Sequence, residues 1–301
     1  LSNGPYYVDS WETDNIVVLK KNPYYWNADN IAIDQVNVYV IPDEGAQVNM
    51  FINGELDIVD FSAQRLSTIQ SAGYEALSYN NGRSAYLKYN FANEYLSNKY
   101  IRQAISSAID RETLVKGVLK NASTAADGFV PVGLSGGDTT FREAVGPTLE
   151  YTYDSDKAKE LLAKGTEELG ISASDISFTI LTKNTDEFTS VAGALQQLLQ
   201  EELGIKVEVE TLDSSSVRTK TKSYDYDVIL ASWGADFDDA TNFLGAYENS
   251  QDANEALYRS EEFNDVYVKA VYETDQNERT KALGEAEKIL LEDQAITPLY
   301  Y

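Results

Sequence analysis

Alternating and helical patterns of hydrophobic residues follow one another along the first part of the chain. Residues 6–20 contain two strand-like runs separated by polar residues, which predicts a β-hairpin. The valines of 33–41 alternate with other residues and predict a further strand. A helix over 43–52, ended by a glycine, and a short strand at 55–59 would complete a strand–helix–strand unit. We expect the aromatic residues of 22–26 to pack against the hairpin.

Predicted strands and helices alternate through the rest of the chain. The elements up to 170 are a strand at 86–91, helices from 98 and 110, a loop over 124–148, and a helix over 158–169 capped by Asp154. A strand at 176–182, a helix at 188–203 and a strand at 205–209 follow, and we expect these two strands to be parallel. The last elements are a strand at 228–231, helices at 262–273 and 278–294, and a strand at 296–300. This order predicts an α/β fold.

The segment 228–239 is the strongest candidate for a functional site. Its buried strand ends in a serine, a tryptophan and a glycine, and three aspartates follow. Because ligands in open α/β sheets bind near strand ends, this combination of backbone, indole and negative charge suggests a ligand site. The other interpretation is a strand, a turn and a helix beginning near 240, with Asp238 or Asp239 as its N-cap. The segment lacks the glycine and the terminal glutamate of a helix–loop–helix calcium loop, so a metal site is not indicated.

The composition removes several functional classes. Cysteine and histidine are both absent, which excludes disulfides, thiolate and imidazole metal ligands, and Ser-His or Cys-His nucleophiles within this chain. Catalysis would depend on carboxylates, lysines or tyrosines, and no particular carboxylate pair for glycoside hydrolysis is indicated among the 49 acidic residues. With 24 basic residues the net charge is -25, which argues against nucleic-acid binding.

The length and hydrophobicity are those of a globular chain. Its 301 residues, of which 43% are hydrophobic, can form two domains. No apolar run is long enough to span a bilayer, and no signal peptide is visible. The chain starts on a turn-like segment and stops on an apolar one, so we expect both ends to be cut from a longer sequence.

Several short sequence blocks stand in order along nearly the whole chain. The first are Gly4-Pro-Tyr6 with Trp11, Lys21-Asn-Pro-Tyr-Tyr-Trp26 and Gly54-Glu-Leu-Asp57. The next are Asn90, Arg102-Gln-Ala-Ile105, Ala108-Ile-Asp-Arg111, Phe129-Val-Pro131 and Tyr153-Asp154. The last are Gly204-Ile-Lys-Val207, Tyr226-Asp227, Trp233-Gly-Ala-Asp236 and Pro298-Leu-Tyr-Tyr301. Each block alone is weak evidence, but their order resembles that of the oligopeptide-binding proteins of ABC transporters, the extracellular solute-binding proteins of family 5.

The resemblance implies a periplasmic-binding-protein-like α/β fold of class II (cluster C), with a mixed sheet, helices on both faces, and two lobes that close on the ligand. Residues 1–84 would be a fragment of the first ligand-binding lobe and residues 85–301 a nearly complete second lobe. The implied function is the extracytoplasmic subunit of an ABC importer, which captures oligopeptides and delivers them to the membrane permease. It would be a monomer without cofactor, catalysis or nucleic-acid partner, either periplasmic or anchored as a lipoprotein to the cytoplasmic membrane.

The resemblance also assigns a ligand site, residue by residue. Asp236 becomes the partner of the ligand's α-amino group. The backbone of Ser232, Trp233 and Gly234 would bind the peptide main chain as an added strand. Asn90 is expected at the edge of the pocket. Gly234 departs from some family members, which carry a side chain there, and this difference would alter the first ligand pocket.

Two alternatives stay open. The same fold could bind a different solute, or it could present a peptide signal to a partner protein. A carboxylate-based hydrolase is a further alternative of a different class. In the peptide-binding interpretation, Asp238 and Asp239 keep the role of helix caps.

Overall fold

The computed structural model describes residues 2–250 and 254–301. Residue contacts divide the chain into two compact units, one up to Leu77 and one from Ser78. The predicted lobe boundary between 84 and 85 lies inside a strand that begins at Arg83, so the second unit begins earlier than we expected. The assignment of the two units to two lobes of a ligand clamp stays a prediction.

The described part of the first unit contains a three-stranded antiparallel sheet, two α-helices and two short 3-10 helices, Ala28–Asn30 and Ala63–Arg65. Its strands are β1 (Tyr6–Glu12), β2 (Ile16–Lys21) and β3 (Gln35–Tyr39), with β2 in the middle. Its α-helices are α1 (Glu44–Ile52) and α2 (Leu66–Ser71). The predicted hairpin is confirmed because β1 pairs antiparallel with β2. The third strand and the first helix are also confirmed, and Asp43 caps α1 by accepting a 2.7 Å hydrogen bond from Ala46 N.

The strand predicted at 55–59 is wrong. The chain there has no regular strand pairing after Gly54, which ends the helical segment with a φ of +78°. Ile58 is 84% exposed, so the hydrophobic pattern of this segment does not correspond to a buried face. The predicted strand–helix–strand unit therefore lacks its second strand.

The expectation that aromatic residues pack against the hairpin is wrong for Tyr24 and Trp26, whereas Tyr25 is half-buried. Tyr24 and Trp26 are 93% and 85% exposed. The turn after β2 is held by Asn22 instead, whose buried side chain donates to Gly4 O at 3.0 Å and accepts from Tyr24 N at 3.0 Å. The hydrogen bonds of Asn22 therefore hold this segment in place, which is the role that we had expected of the aromatic rings.

The second unit is built on a five-stranded mixed sheet. Its strands are β4 (Arg83–Tyr89), β5 (Ser177–Lys183), β6 (Lys206–Leu212), β7 (Val228–Gly234) and β8 (Ile296–Tyr300), in the order β6-β5-β7-β4-β8. The strands β5, β6 and β7 are parallel, whereas β4 is antiparallel to both of its neighbours. The mixed sheet is confirmed, and so is the parallel pairing of the strands on either side of the helix at 188–203.

Helices cover both faces of this sheet. They are α3 (Lys99–Ala108), α4 (Arg111–Thr113), α5 (Phe141–Val145), α6 (Ser155–Leu169), α7 (Asp186–Leu203), α8 (Ser214–Lys222), α9 (Thr241–Leu244), α10 (Glu261–Val271) and α11 (Gln276–Glu292). Successive strand residues point to opposite faces. Accordingly, Leu87 belongs to the core under α3, α6 and α7, and its neighbour Tyr86 belongs to the core under α9, α10 and α11. On β7, Ile229 packs with Val217 of α8 in a smaller cluster.

Three predicted elements differ in type or length from the observed ones. The helix predicted from 110 is a single α-helical turn that continues as a π-helix, Leu114–Leu119. The loop predicted over 124–148 contains the short helix α5. The strand predicted at 228–231 continues through Gly234, because β4 pairs with β7 along its whole length.

Two arginines from the family-like blocks have structural roles. The buried guanidinium of Arg102 donates to the backbone oxygens of Gln294 at 2.9 Å and Asp293 at 2.6 Å. Arg111 is also buried and donates to Pro298 O at 2.6 Å. Burial lowers the pKa of both groups to about 10, so both stay protonated near neutral pH. These contacts join the α3 region to the segment that leads into β8.

Candidate functional site

The two central parallel strands of the sheet, β5 and β7, separate toward their carboxyl ends. They pair only at Ile180–Val228 and Leu181–Ile229. Beyond these pairs, Thr182 Oγ donates to Leu230 O at 2.9 Å. The chain leaves β5 for β6 on one side and returns to β7 on the other, so the strand order reverses between β5 and β7. Such a reversal opens a crevice at the carboxyl ends of the strands, which is where α/β sheets of this kind bind ligands.

The backbone of β7 presents hydrogen-bonding groups to this crevice. Asn90 N donates to Asp227 O at 2.9 Å, and Ala235 N donates to Gly82 O at 3.0 Å. Hydrogen-bonded and non-bonded pairs alternate in an antiparallel ladder. In the register of β4 with β7, this alternation directs the backbone groups of Ser232 and Gly234 away from β4. No strand in the described ranges pairs with that edge of β7 beyond Ile229.

The same alternation corrects one predicted backbone contact. Trp233 is opposite Ser84, in a pair whose backbone groups face each other. Its N–H and C=O are therefore used within the sheet and do not face the crevice. What Trp233 can offer a ligand is its indole, which is 42% exposed.

One residue that we did not predict, Asn242, holds the site together. Its Oδ1 accepts a 2.8 Å hydrogen bond from Trp233 Nε1 and a 3.1 Å hydrogen bond from Asp236 N. One amide oxygen in α9 thus fixes both the indole and the turn that carries Asp236. Nothing in the local sequence pattern identifies this role, because it depends on how α9 folds back onto the end of β7.

The three aspartates of this segment have different environments. Asp238 accepts hydrogen bonds from Ser135 N at 2.7 Å and from Ser135 Oγ at 2.5 Å. It therefore holds the 124–148 loop and does not cap a helix, contrary to the expectation. Asp239 accepts from Thr241 N at 2.9 Å beside the start of α9, but Ala240 is the N-cap residue, so Asp239 lies one position before the cap that we expected it to form.

Asp239 also binds Arg279 of α11 through two hydrogen bonds, at 2.8 Å and 3.0 Å. Burial alone would raise the pKa of Asp239, but the hydrogen bonds from Arg279 and Thr241 outweigh it and lower the pKa. Asp236, in contrast, is exposed, and among the described residues its carboxylate has no hydrogen bond or ion pair. Of the three acids, Asp236 is the one whose carboxylate is not committed to a protein donor.

The structure does not bring Asn90 to this site. Asn90 follows β4 at the end opposite to Arg83, and seven residues of extended chain correspond to roughly 23 Å. Its buried amide donates to Tyr224 O at 3.1 Å and to Tyr226 O at 2.8 Å. Asn90 lines a separate polar cavity of about 360 Å³. The antiparallel register places Asn90 beside the beginning of β7, away from Ser232 and Asp236, and a ligand-binding role for Asn90 stays a prediction.

A second residue that we did not predict is Arg83. It is opposite Gly234 in the register of β4 with β7, and its Nη1 donates to Ser232 Oγ at 3.0 Å. The two partners are far apart in the chain, so only the strand register reveals their proximity. In chemical terms, the site offers free backbone groups, an indole, one carboxylate and one guanidinium.

Two further properties concern the described ranges as a whole. They contain no group of three or more acidic side chains placed to hold a metal ion. None of their helices has the length and apolar character needed to cross a membrane.

Comparison with known proteins identifies the family. The family model of the bacterial extracellular solute-binding proteins, family 5 (middle), matches residues 1–255. The chain belongs to this family. Among curated relatives, the oligopeptide-binding protein OppA of Bacillus subtilis is 29% identical over 311 residues, covering 100% of this chain and 56% of that protein. The dipeptide-binding protein DppE of the same organism is 28% identical over 303 residues, covering 100% of this chain and 55% of that protein.

Solved structures of this family have the same fold. Listeria monocytogenes OppA bound to peptide is 28% identical, with a TM-score of 0.79 over 99% of this chain and 58% of that chain. An oligopeptide ABC transporter substrate-binding domain from Bacillus anthracis is 26% identical, with a TM-score of 0.81 over 99% of this chain and 59% of that chain. The periplasmic-binding-protein-like α/β fold is thereby confirmed. The chain spans a little more than half the length of the relatives that it matches.

Proposed function

We propose that this chain carries the peptide-capturing site of a solute-binding subunit of an ABC importer. The observation that carries the proposal is the free edge of β7 at Ser232 and Gly234, directly followed by the uncommitted carboxylate of Asp236. Such a site suits an extended chain with a positive amino terminus. Membership of the solute-binding family supports the same ligand class, since relatives are named for binding oligopeptides and dipeptides.

The chemistry of capture has two parts. The peptide main chain hydrogen-bonds to the backbone of Ser232 and Gly234 as an added strand, which gives affinity with little dependence on the peptide's sequence. The α-ammonium pairs with Asp236, and a charge-assisted hydrogen bond of this kind is stronger than a neutral one. Trp233 contributes the exposed part of its indole, which Asn242 holds in place.

The task of the protein is capture and delivery, not catalysis. It works outside the cytoplasmic membrane, as the periplasmic names of several relatives suggest, and hands peptides to the permease subunits of the importer. A lipid anchor and a monomeric state belong to the same proposal. We assign the unit that ends at Leu77 to the first lobe of the clamp and the unit that begins at Ser78 to the second lobe. This boundary replaces the predicted one between residues 84 and 85.

The main-chain part of the proposal is tested by titration calorimetry on the full-length protein. Tetrapeptides of unrelated sequence with free amino termini should bind with similar affinities. Peptides that carry N-methyl groups on their backbone amides should bind much more weakly, because they cannot donate to an added-strand ladder. The proposal fails if no peptide binds, and strand addition fails if N-methylation leaves the affinity unchanged.

A further inference from the structure

The guanidinium of Arg83 lies across β7 at a position where the facing residue has no side chain. An ideal β-carbon built on Gly234 would be 3.1 Å from Arg83 Nη2 and 3.3 Å from Cζ. The same guanidinium donates from Nη1 to Ser232 Oγ at 3.0 Å. Because Gly234 has no side chain, the guanidinium of Arg83 can lie over it. The guanidinium is therefore next to the backbone of Ser232 and Gly234, which faces the crevice.

Arg83 differs from other arginines of the chain in what it binds. Arg142 and Arg279 pair with carboxylates, and Arg102 and Arg111 are buried against backbone carbonyls. Arg83 is exposed, and its only hydrogen bond within the described ranges goes to Ser232. A guanidinium has five N–H donors, so several of them stay available to a ligand.

The charge of Arg83 is opposite to that of the chain as a whole. The net charge is -25, and such a surface repels anionic ligand groups. A lone guanidinium beside the free edge of β7 offsets this repulsion at one place. Planar guanidinium groups also bind carboxylates through two parallel hydrogen bonds, which lysine cannot do.

The spacing between Arg83 and Asp236 fits a short stretch of peptide. Gly234 and Asp236 are two residues apart, so their Cα atoms are separated by at most about 7.6 Å. Arg83 Nη2 is 3.1 Å from the ideal β-carbon position of Gly234, so the guanidinium adds only a few ångströms to this separation. An extended peptide advances roughly 3.3–3.6 Å per residue, so a chain whose amino terminus lies at Asp236 reaches Arg83 within its first few residues.

We propose, on the basis of the function proposed above, that Arg83 is a specificity-determining residue that binds a ligand carboxylate within the first three residues of the peptide. This carboxylate is either an acidic side chain or the carboxyl terminus of a di- or tripeptide. Gly234 is part of the same feature, because its missing side chain gives the guanidinium its position. The site thus favours peptides with a negative charge close to their ammonium group.

The test is titration calorimetry on the full-length protein with matched peptides. One arm compares C-terminally amidated alanine pentapeptides that carry glutamate or glutamine at position 2 or 3. A second arm compares di- and tripeptides of alanine with free or amidated carboxyl termini. The wild-type protein should bind the carboxylate member of at least one arm roughly tenfold or more tightly, as expected for a hydrogen bond to a charged group. The arm that shows the preference identifies the source of the carboxylate.

Four variants separate recognition from structure. Arg83→Gln should abolish the carboxylate preference, so that the carboxylate and neutral members of each pair bind with equal affinity, whereas Arg83→Lys should retain part of the preference. Gly234→Ala keeps the charge but displaces the guanidinium, so it should also reduce the preference. Arg218→Gln removes an exposed positive charge from α8 and should leave the preference intact.

Each outcome decides the proposal. If the wild-type protein binds neutral and acidic peptides equally, or if Arg83→Gln keeps the preference, Arg83 has only the bracing contact with Ser232 and this inference is overturned, while peptide capture stands. If the wild-type protein binds no peptide, both the proposed function and this inference are overturned. A preference that weakens as salt is raised supports an electrostatic origin.

Discussion

Replacement of Glu287 by glutamine should strongly destabilise the second unit. Glu287 of α11 has a side chain that is 0% exposed, and its Oε1 accepts hydrogen bonds from Phe129 N at 2.8 Å and Val130 N at 2.7 Å. The same oxygen accepts from Arg142 Nη2 at 2.7 Å, and Oε2 accepts from Thr148 Oγ1 at 2.7 Å. This carboxylate fastens the loop over 124–148 to α11.

The magnitude follows from what the substitution leaves behind. Burial alone would lower the pKa of Arg142, but Glu287 outweighs this effect and raises it. Glu287→Gln removes the buried compensating charge and leaves the guanidinium of Arg142 with only the half-exposed carboxylate of Asp127, 3.6 Å away, as an anionic partner. Breaking a buried ion pair from one side costs about 3–5 kcal/mol, so we expect a loss of about 3 kcal/mol or more in the free energy of unfolding.

The assay is urea unfolding of the full-length protein followed by far-UV circular dichroism. A loss of this size should lower the unfolding midpoint by about 1 M urea or more. The matched control is Glu285→Gln, the same substitution at an exposed position of the same helix, which should change stability by less than about 0.5 kcal/mol. Equal midpoints for the two variants would refute the account of Glu287.

This prediction also bears on the site. The loop that Glu287 holds contains Ser135, and Ser135 binds the carboxylate of Asp238 beside the candidate peptide site. We expect Glu287→Gln to weaken peptide binding as well, because the turn after β7 loses part of its support. Titration of the variant with peptide, without urea and at low temperature, would measure the change in affinity.

Three further predictions concern the site and the packing of the second unit. Asn242→Ala should weaken peptide binding about tenfold in calorimetry by freeing the indole and the turn, whereas Asn242→Asp, which keeps an acceptor oxygen, should restore most of the affinity. The lowered pKa of Asp239 means that its pair with Arg279 stabilises the fold above about pH 4 and stops doing so at lower pH. Arg279→Gln should therefore reduce the loss of stability between neutral and acidic pH in urea unfolding. Gly165→Ala would place a methyl group 2.7 Å from a carbon of Ile101 and should cost about 1–3 kcal/mol in thermal unfolding. Gly193→Ala, on α7 with open space around it, should be neutral or stabilising by up to about 1 kcal/mol.

The sequence was sufficient to predict elements whose cause is local. The hairpin of β1 and β2, the helix capped by Asp154 and the pair of parallel strands around α7 all follow from periodicity and capping residues. The strand at 55–59 failed because Leu56 and Ile58 alternate with polar residues but have no strand to pair with. A hydrophobic alternation predicts a strand only where the fold supplies a partner.

The candidate site was predictable only in part for a related reason. Trp233 and Asp236 belong to one continuous segment, so the sequence places them together. Arg83 and Asn242 reach the same place through the strand register and the return of α9, which are tertiary features. Asn90 shows the opposite case, since it directly follows the strand that begins at Arg83 but lies at the other end of the sheet.

The most direct test of the central claim is a calorimetric cycle on the pairing of Asp236 with the ligand's ammonium group. The wild-type protein and Asp236→Asn are each titrated with the same tetrapeptide in free and N-acetylated form. We expect acetylation to weaken binding to the wild-type protein roughly tenfold or more, and Asp236→Asn to weaken binding of the free peptide similarly. In the variant, acetylation should have little further effect. Acetylation that leaves the wild-type affinity unchanged, or that weakens both proteins equally, would contradict the role of Asp236.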